Sequence, residues 1–243
     1  MGLSLITVEK FVAEQRAKFD SRLSEEDLEK KISVPAITLS MEAGSGGYLI
    51  AEGLAKRLDF ELYSRNILNA VSHSADVSSN ALDLIEKERF GRLQDFVSSL
   101  VSDTYVYSGD YLHHLTKVVN ALGIIGRAVI VGRGANFILP PEKRFAIRVV
   151  APEEVREKNV AFHFGVSIVD ARKRIKHRDS RRKTFVKEVF RKDITAWKHY
   201  DLIINTERLD LDAAVETAVG TILGAQKNQA FEKSTSYILR RKK

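Results

Sequence analysis

The chain contains no cysteine. That excludes disulfides and thiolate nucleophiles and argues against a structural zinc site. Its six histidines show no metal-ligand spacing, and His113 and His114, being adjacent, would point about 100° apart on a helix. No run of about 18 apolar residues occurs, so no transmembrane helix and no membrane partner are expected. The opening MGLSLITVEKFVAEQ carries acids early and lacks the long apolar stretch of a signal peptide. A cytoplasmic location is the resulting expectation.

What is present is ordinary in bulk and unusual in one place. A hydrophobic content of 44% and a charged content of 29% suit a globular protein, and 243 residues suffice for one α/β domain with extensions. The net charge of +7 is concentrated. Residues 171–192, ARKRIKHRDSRRKTFVKEVFRK, hold eleven Lys/Arg against Asp179 and Glu188, a balance of +9 that leaves the rest of the chain at −2. Such a segment suits a polyanionic partner, either nucleotide phosphates or a nucleic acid, although charge runs often form a solvated helix face. Only Phe185 and Phe190 interleave it, too few for a base-stacking platform, so nucleic acid is the less favoured partner.

The stretch AITLSMEAGSGGYLIAEGLAKRL, residues 36–58, reads as a strand, a glycine turn and an amphipathic helix. Glycines let a chain adopt positive φ and let a phosphate approach the backbone at a helix N-terminus. Gly44, Ser45, Gly46, Gly47 and Tyr48 are therefore candidate phosphate-binding residues. In the register of a Walker A loop, Met41 replaces the first glycine, Gly47 the lysine and Tyr48 the Ser/Thr. Lysine restored at 47 would be expected to tighten ATP binding. Two other readings stay open: a plain connecting turn, or a nucleophile elbow around Ser45.

Further along, apolar spacing predicts a helical preface over 1–34, with a capping box at Ser24–Asp27, and a short strand at 60–63. Helical blocks follow over 64–126 and 153–192, with a serine-rich loop at 72–80. Strands are expected at 128–131, 144–151 and 202–204, and a last helix at 211–223. Trp197 is expected in the core. Strands alternating with helical blocks imply a parallel sheet covered on both faces.

Several segments, taken in order, resemble the cytidylate kinase-like family, relatives of the P-loop nucleoside monophosphate kinases. They are ITLSMEAGSGGYLIAEGLAKRL, FELYSRNIL, AVIVGRGANFIL, RVVAPEEVRE, the D-x-x-R at Asp179–Arg182, and HYDLIINTE. The resemblance spans about residues 36–225. It implies a three-layer α/β P-loop NTPase-type fold with helices on both faces and a basic helical lid. The expected divisions are a helical extension at 1–34, a kinase-like domain at 36–225 and a basic tail at 226–243. It further implies ATP with Mg²⁺, nucleotides as small-molecule partners, and phosphoryl transfer to a nucleoside monophosphate or another small acceptor. Arg133 would hold the acceptor. Arg182, with Arg178 or Arg181, would neutralise transition-state charge. Gly134 stands where cytidylate kinases carry an Asp. An alternative is a catalytically weak nucleotide-binding relative. A homodimer through residues 1–34 is a further expectation.

Overall fold

The computed structural model describes residues 8–22, 36–64 and 109–229. Among the described residues five strands form one parallel sheet: β1 (Ala36–Met41), β2 (Glu61–Tyr63), β3 (Ala128–Val131), β4 (Arg144–Val150) and β5 (Leu202–Asn205). Their order is β2-β3-β1-β4-β5. The described helices are α1 (Val8–Arg22), α2 (Gly47–Leu58), α3 (Gly109–Ile125), α4 (Ala135–Ile138), α5 (Glu153–Phe164), α6 (Ile168–Phe190) and α7 (Leu211–Gln229).

Side-chain alternation along the strands builds two cores. Ile37, Leu39, Val129, Ile147 and Val149 face α2 and α7, where Ile50, Leu54, Ala218 and Ile222 complete the packing. Ala36, Ala128 and Ile130 face the other way and pack with Leu115, Val118 and Leu122 of α3. Phe11 of α1 joins this second core, and the Tyr63 hydroxyl donates to Gln15 Oε1 at 2.8 Å. The three-layer parallel α/β architecture is thus as expected, and α1 is docked on its own chain.

The block expected over 153–192 is two helices. Gly165 closes α5 in the left-handed region, and Ser167 caps α6 by accepting from the Asp170 N–H. Trp197 is not in the core: it is 76% exposed on a turn before β5. The local sequence could not reveal this, because Tyr200 turns inward there instead, donating to the Ile194 carbonyl at 2.7 Å. The capping box at 24–27, the loop at 72–80 and most of the 64–126 block lie outside the described residues.

The sheet order determines where ligands can gather. β1 is central, paired with β3 on one side and β4 on the other. The chain leaves β1 toward β2 on one side and later fills β4 and β5 on the other. The loops after β1 and β3 therefore flank a crevice at the carboxyl ends of the strands, the usual ligand position in open parallel sheets.

Candidate functional site

The glycine loop connects β1 to α2, with Gly46 as the N-cap at φ 75°. Gly44 is also left-handed, at φ 84°, and a Cβ there would lie 2.6 Å from the Arg156 carbonyl oxygen. Gly44 therefore requires glycine, and the backbone at Gly46 favours it. The first turn of α2 has no acidic residue, so its dipole faces the loop uncompensated by any carboxylate of its own.

The loop carbonyls are tied back one after another, the first by the loop itself and the rest by the body of the protein. Glu42 C=O accepts from the Ser45 N–H and hydroxyl, at 3.2 and 2.9 Å. Ala43 C=O accepts from Arg156, Gly44 C=O from Asn159 Nδ2 and Ser45 C=O from the Thr206 hydroxyl. Carbonyls held from behind leave an anion to meet the N–H side of the turn. Ser45 is 1% exposed and its hydroxyl is spent within the turn, which does not suit a nucleophile elbow.

Gly47 is the first residue of α2, as the motif register requires, but a side chain there would start in close contact with β1 and β4. A Cβ there would stand 2.6 Å from Met41 Cβ and 3.2 Å from Val149 Cβ. Met41, in the place of the motif's first glycine, fills the space that a longer residue at 47 would need. This contact counts against the expectation that lysine restored at 47 would by itself tighten ATP binding.

Beneath the loop lies an ionic network. Asp179 of α6 accepts from the Ala43 N–H at 2.9 Å, from Arg156 at 2.7 Å and from Arg182 at 3.3 Å. Arg182 also donates to the Met41 carbonyl at 3.0 Å. Burial pushes the Arg182 pKa down and Asp179 draws it back up; the guanidinium keeps its charge. On β4, the buried Arg148 donates to Ser40 Oγ at 2.9 Å, lies 3.6 Å from Glu42 and stacks over Tyr200 at 5.6 Å. Glu42 also accepts from the Ala151 N–H and lies 3.6 Å from Arg156. Three arginines and two carboxylates thus join β1, β4, α5 and α6.

Beside this network is a cavity of about 120 Å³. Arg133, Arg178, Arg181 and Arg182, the four arginines singled out from the sequence, all line it, with Asn136, Ser40 and Phe185. Arg133 is buried, with φ 51°, and its guanidinium lies 5.9 Å from the Phe185 ring. Met41 touches the cavity, but Gly44–Tyr48 do not line it.

Sequence reasoning missed Arg148, Arg156 and Asn159. Arg148 had a signal: a charge inside the apolar strand RFAIRVV is expected only where a partner awaits it. Arg148 and Arg156 lie within RVVAPEEVRE as Asp201 and Thr206 lie within HYDLIINTE, and the last two are architectural. Thr206 ties β5 to the loop, and Asp201 accepts from the Ala146 N–H at 2.7 Å.

A model of the cytidylate kinase-like family matches residues 36–208. The chain belongs to this family. A cytidylate kinase of Pyrobaculum islandicum is 21% identical over 202 residues, covering 80% of this chain and 98% of that protein. The crystal structure of an uncharacterized protein from Eubacterium ventriosum superimposes with a TM-score of 0.60 at 22% identity, covering 78% of this chain and 98% of that one. The second likeness is one of fold. Among the described residues, no helix of this family member is long and apolar enough to cross a membrane.

Proposed function

We propose that the protein is a nucleotide-binding phosphotransferase that moves a phosphoryl group from ATP to a nucleoside monophosphate or another small acceptor. One observation carries this reading: four arginines from two separate segments converge on one cavity beside the glycine loop. Phosphoryl transfer asks the protein for positioning and charge neutralisation more than for covalent help. Gly44–Tyr48 hold the donor phosphates, Arg133 holds the acceptor, and Arg182 with Arg178 or Arg181 neutralises charge.

The loop fits ATP, because its carbonyls are tied back and its left-handed glycines bring the backbone close. Magnesium is different. Among the described residues there is no cluster of three carboxylates or histidines, position 48 is Tyr, and the Ser45 hydroxyl donates to Glu42. These residues do not make a protein magnesium site; the ion would arrive with the nucleotide phosphates.

Gly46→Val is expected to abolish ATP binding while the chain stays folded. The valine's Cβ would meet only the tip of Leu211, at 3.1 Å, and φ of 75° disfavours a β-branched residue by about 1–3 kcal/mol. Calorimetry with ATP on the folded variant checks this. Wild-type affinity would sink the cradle.

A catalytically weak nucleotide binder is the second reading, and the packing of Gly47 against Met41 favours it, since the first turn of α2 carries no cation there. Phosphoryl transfer from ATP across a panel of acceptors separates the two. A nucleic-acid function fits less well, because Arg178, Arg181 and Arg182 are turned to the cavity. Little affinity for DNA or RNA is expected at physiological salt; a nanomolar, steeply salt-dependent affinity would reverse this order.

A further inference from the structure

The ionic network beneath the glycine loop does not balance. Among the described residues, Arg148, Arg156 and Arg182 form ion pairs only with Glu42 and Asp179, three cations against two carboxylates, which leaves one positive charge in surplus. The Arg148 and Arg156 side chains are 7% and 12% exposed. A cation held this far from water is costly unless an anion stands near it. Arg148 is the unexpected member. It lies within strand β4, opposite Ser40 of β1 in the register, and donates to Ser40 Oγ at 2.9 Å.

Two residues that line the cavity keep donors the protein does not use. Arg182 spends Nη1 on the Met41 carbonyl and on Asp179. A guanidinium has five N–H groups, and those on Nε and Nη2 of Arg182 meet no acceptor among the described residues. For Ser40 the direction of its side-chain bond decides. Arginine can only donate, so the Ser40 oxygen is the acceptor there, and its own proton must go elsewhere. No described residue accepts that proton. Ser40 is 9% exposed, and the space it borders is the cavity.

We infer that Ser40 donates its hydroxyl proton to a phosphoryl oxygen bound in the cavity beside Arg182, and that Arg148 is the positioning residue that turns the hydroxyl toward it. Arg148 does not itself line the cavity and acts on the ligand through Ser40. It is held from three sides, by Ser40 Oγ, by Glu42 at 3.6 Å and by the Tyr200 ring at 5.6 Å. A hydrogen bond to an ionised oxygen is about twice as strong as a neutral one, so a hydroxyl fixed as a donor favours an oxyanion. The source of that oxyanion rests on the phosphotransferase reading above. Gly44–Tyr48, which hold the donor phosphates in that reading, do not line the cavity, so the phosphoryl group on Ser40 is the acceptor's.

Calorimetry on the full chain with inorganic phosphate, cytidine monophosphate and ATP, each alone, tests this. Ser40→Ala is expected to weaken phosphate and cytidine monophosphate at least about tenfold, and ATP less than about twofold. Ser40→Thr keeps the hydroxyl, suits a strand and is expected to bring both within about twofold of the wild type. In an Arg148→Met background, where nothing fixes the hydroxyl, adding Ser40→Ala is expected to cost less than about twofold. Ser40→Cys and Arg148→Gln serve where either variant does not fold. Wild-type phosphate affinity in a folded Ser40→Ala would overturn the contact, as would failure of phosphate to bind the wild type. The same loss from Ser40→Ala with and without Arg148 would remove Arg148 from positioning. ATP weakened alongside phosphate would assign the oxyanion to the donor and overturn the acceptor as its source. The phosphotransferase reading fails separately, if ATP gives up its phosphoryl group to no acceptor while phosphate binding stays sensitive to Ser40→Ala.

Discussion

Gly47→Lys is expected to lower the melting temperature and to leave ATP binding no tighter than in the wild type. The cost begins at the first side-chain atom. A Cβ at 47 falls 2.6 Å from Met41 Cβ and 3.2 Å from Val149 Cβ, neither of which is the yielding tip of a flexible chain. Overpacking of this kind costs about 1–3 kcal/mol, so Gly47→Ala should already show it. The remedy follows from the same contact. The double variant Met41→Gly/Gly47→Lys restores both motif residues at once and removes the obstructing side chain. Relative to Gly47→Lys, it is expected to regain stability and to tighten ATP by on the order of 1–3 kcal/mol, the worth of a charge-assisted hydrogen bond to phosphate. Melting curves and calorimetry on the three variants measure this. A single Gly47→Lys that melts like the wild type and binds ATP more tightly would show that Met41 does not block the position.

Asp179→Ala is expected to be the most damaging single change in the ionic network. The carboxylate accepts from the Ala43 N–H, from Arg156 and from Arg182, so one truncation leaves a backbone donor and two guanidinium groups short of a partner. The Arg156 and Arg182 side chains are only 12% and 30% exposed. Removing one partner from such a pair costs more than the pair itself contributes, here roughly 2–4 kcal/mol after allowing for partial solvation. The functional effect should exceed the stability effect. Asp179 is the link between the glycine loop and the arginine helix α6, so its loss should weaken ATP and acceptor binding together. Asp179→Asn keeps one acceptor oxygen and should fall between wild type and Asp179→Ala in both properties. Loss of stability with both affinities intact would make Asp179 a fold residue only.

Much of this was readable in advance, for identifiable reasons. β3 lies within its apolar run with no error at either end, because a fully buried strand leaves no polar residue to blur its limits. The glycine loop was readable because left-handed backbone at 44 and 46 restricts the choice of residue at each point. Arg133, Arg178, Arg181 and Arg182 were chosen on family resemblance and charge, and they line one cavity. Trp197 failed for the opposite reason. A tryptophan's burial depends on what packs over it, and the turn holding it faces outward.

The sequence by itself determined the five strands, the left-handed turn before α2 and the segment in which positive charge collects, because each depends on residues near one another in the chain. Only the tertiary structure decided which charges meet. Ser40 stands beside Arg148 because β1 and β4 pair in that register, and Asp179 reaches the Ala43 N–H across 136 positions of sequence. The direction of position 47 belongs to the same class, since Met41 and Val149 meet it through the pairing of β1 with β4. Local periodicity carries the face on which a side chain lies; it does not carry strand order or register, and those place the arginines around one cavity.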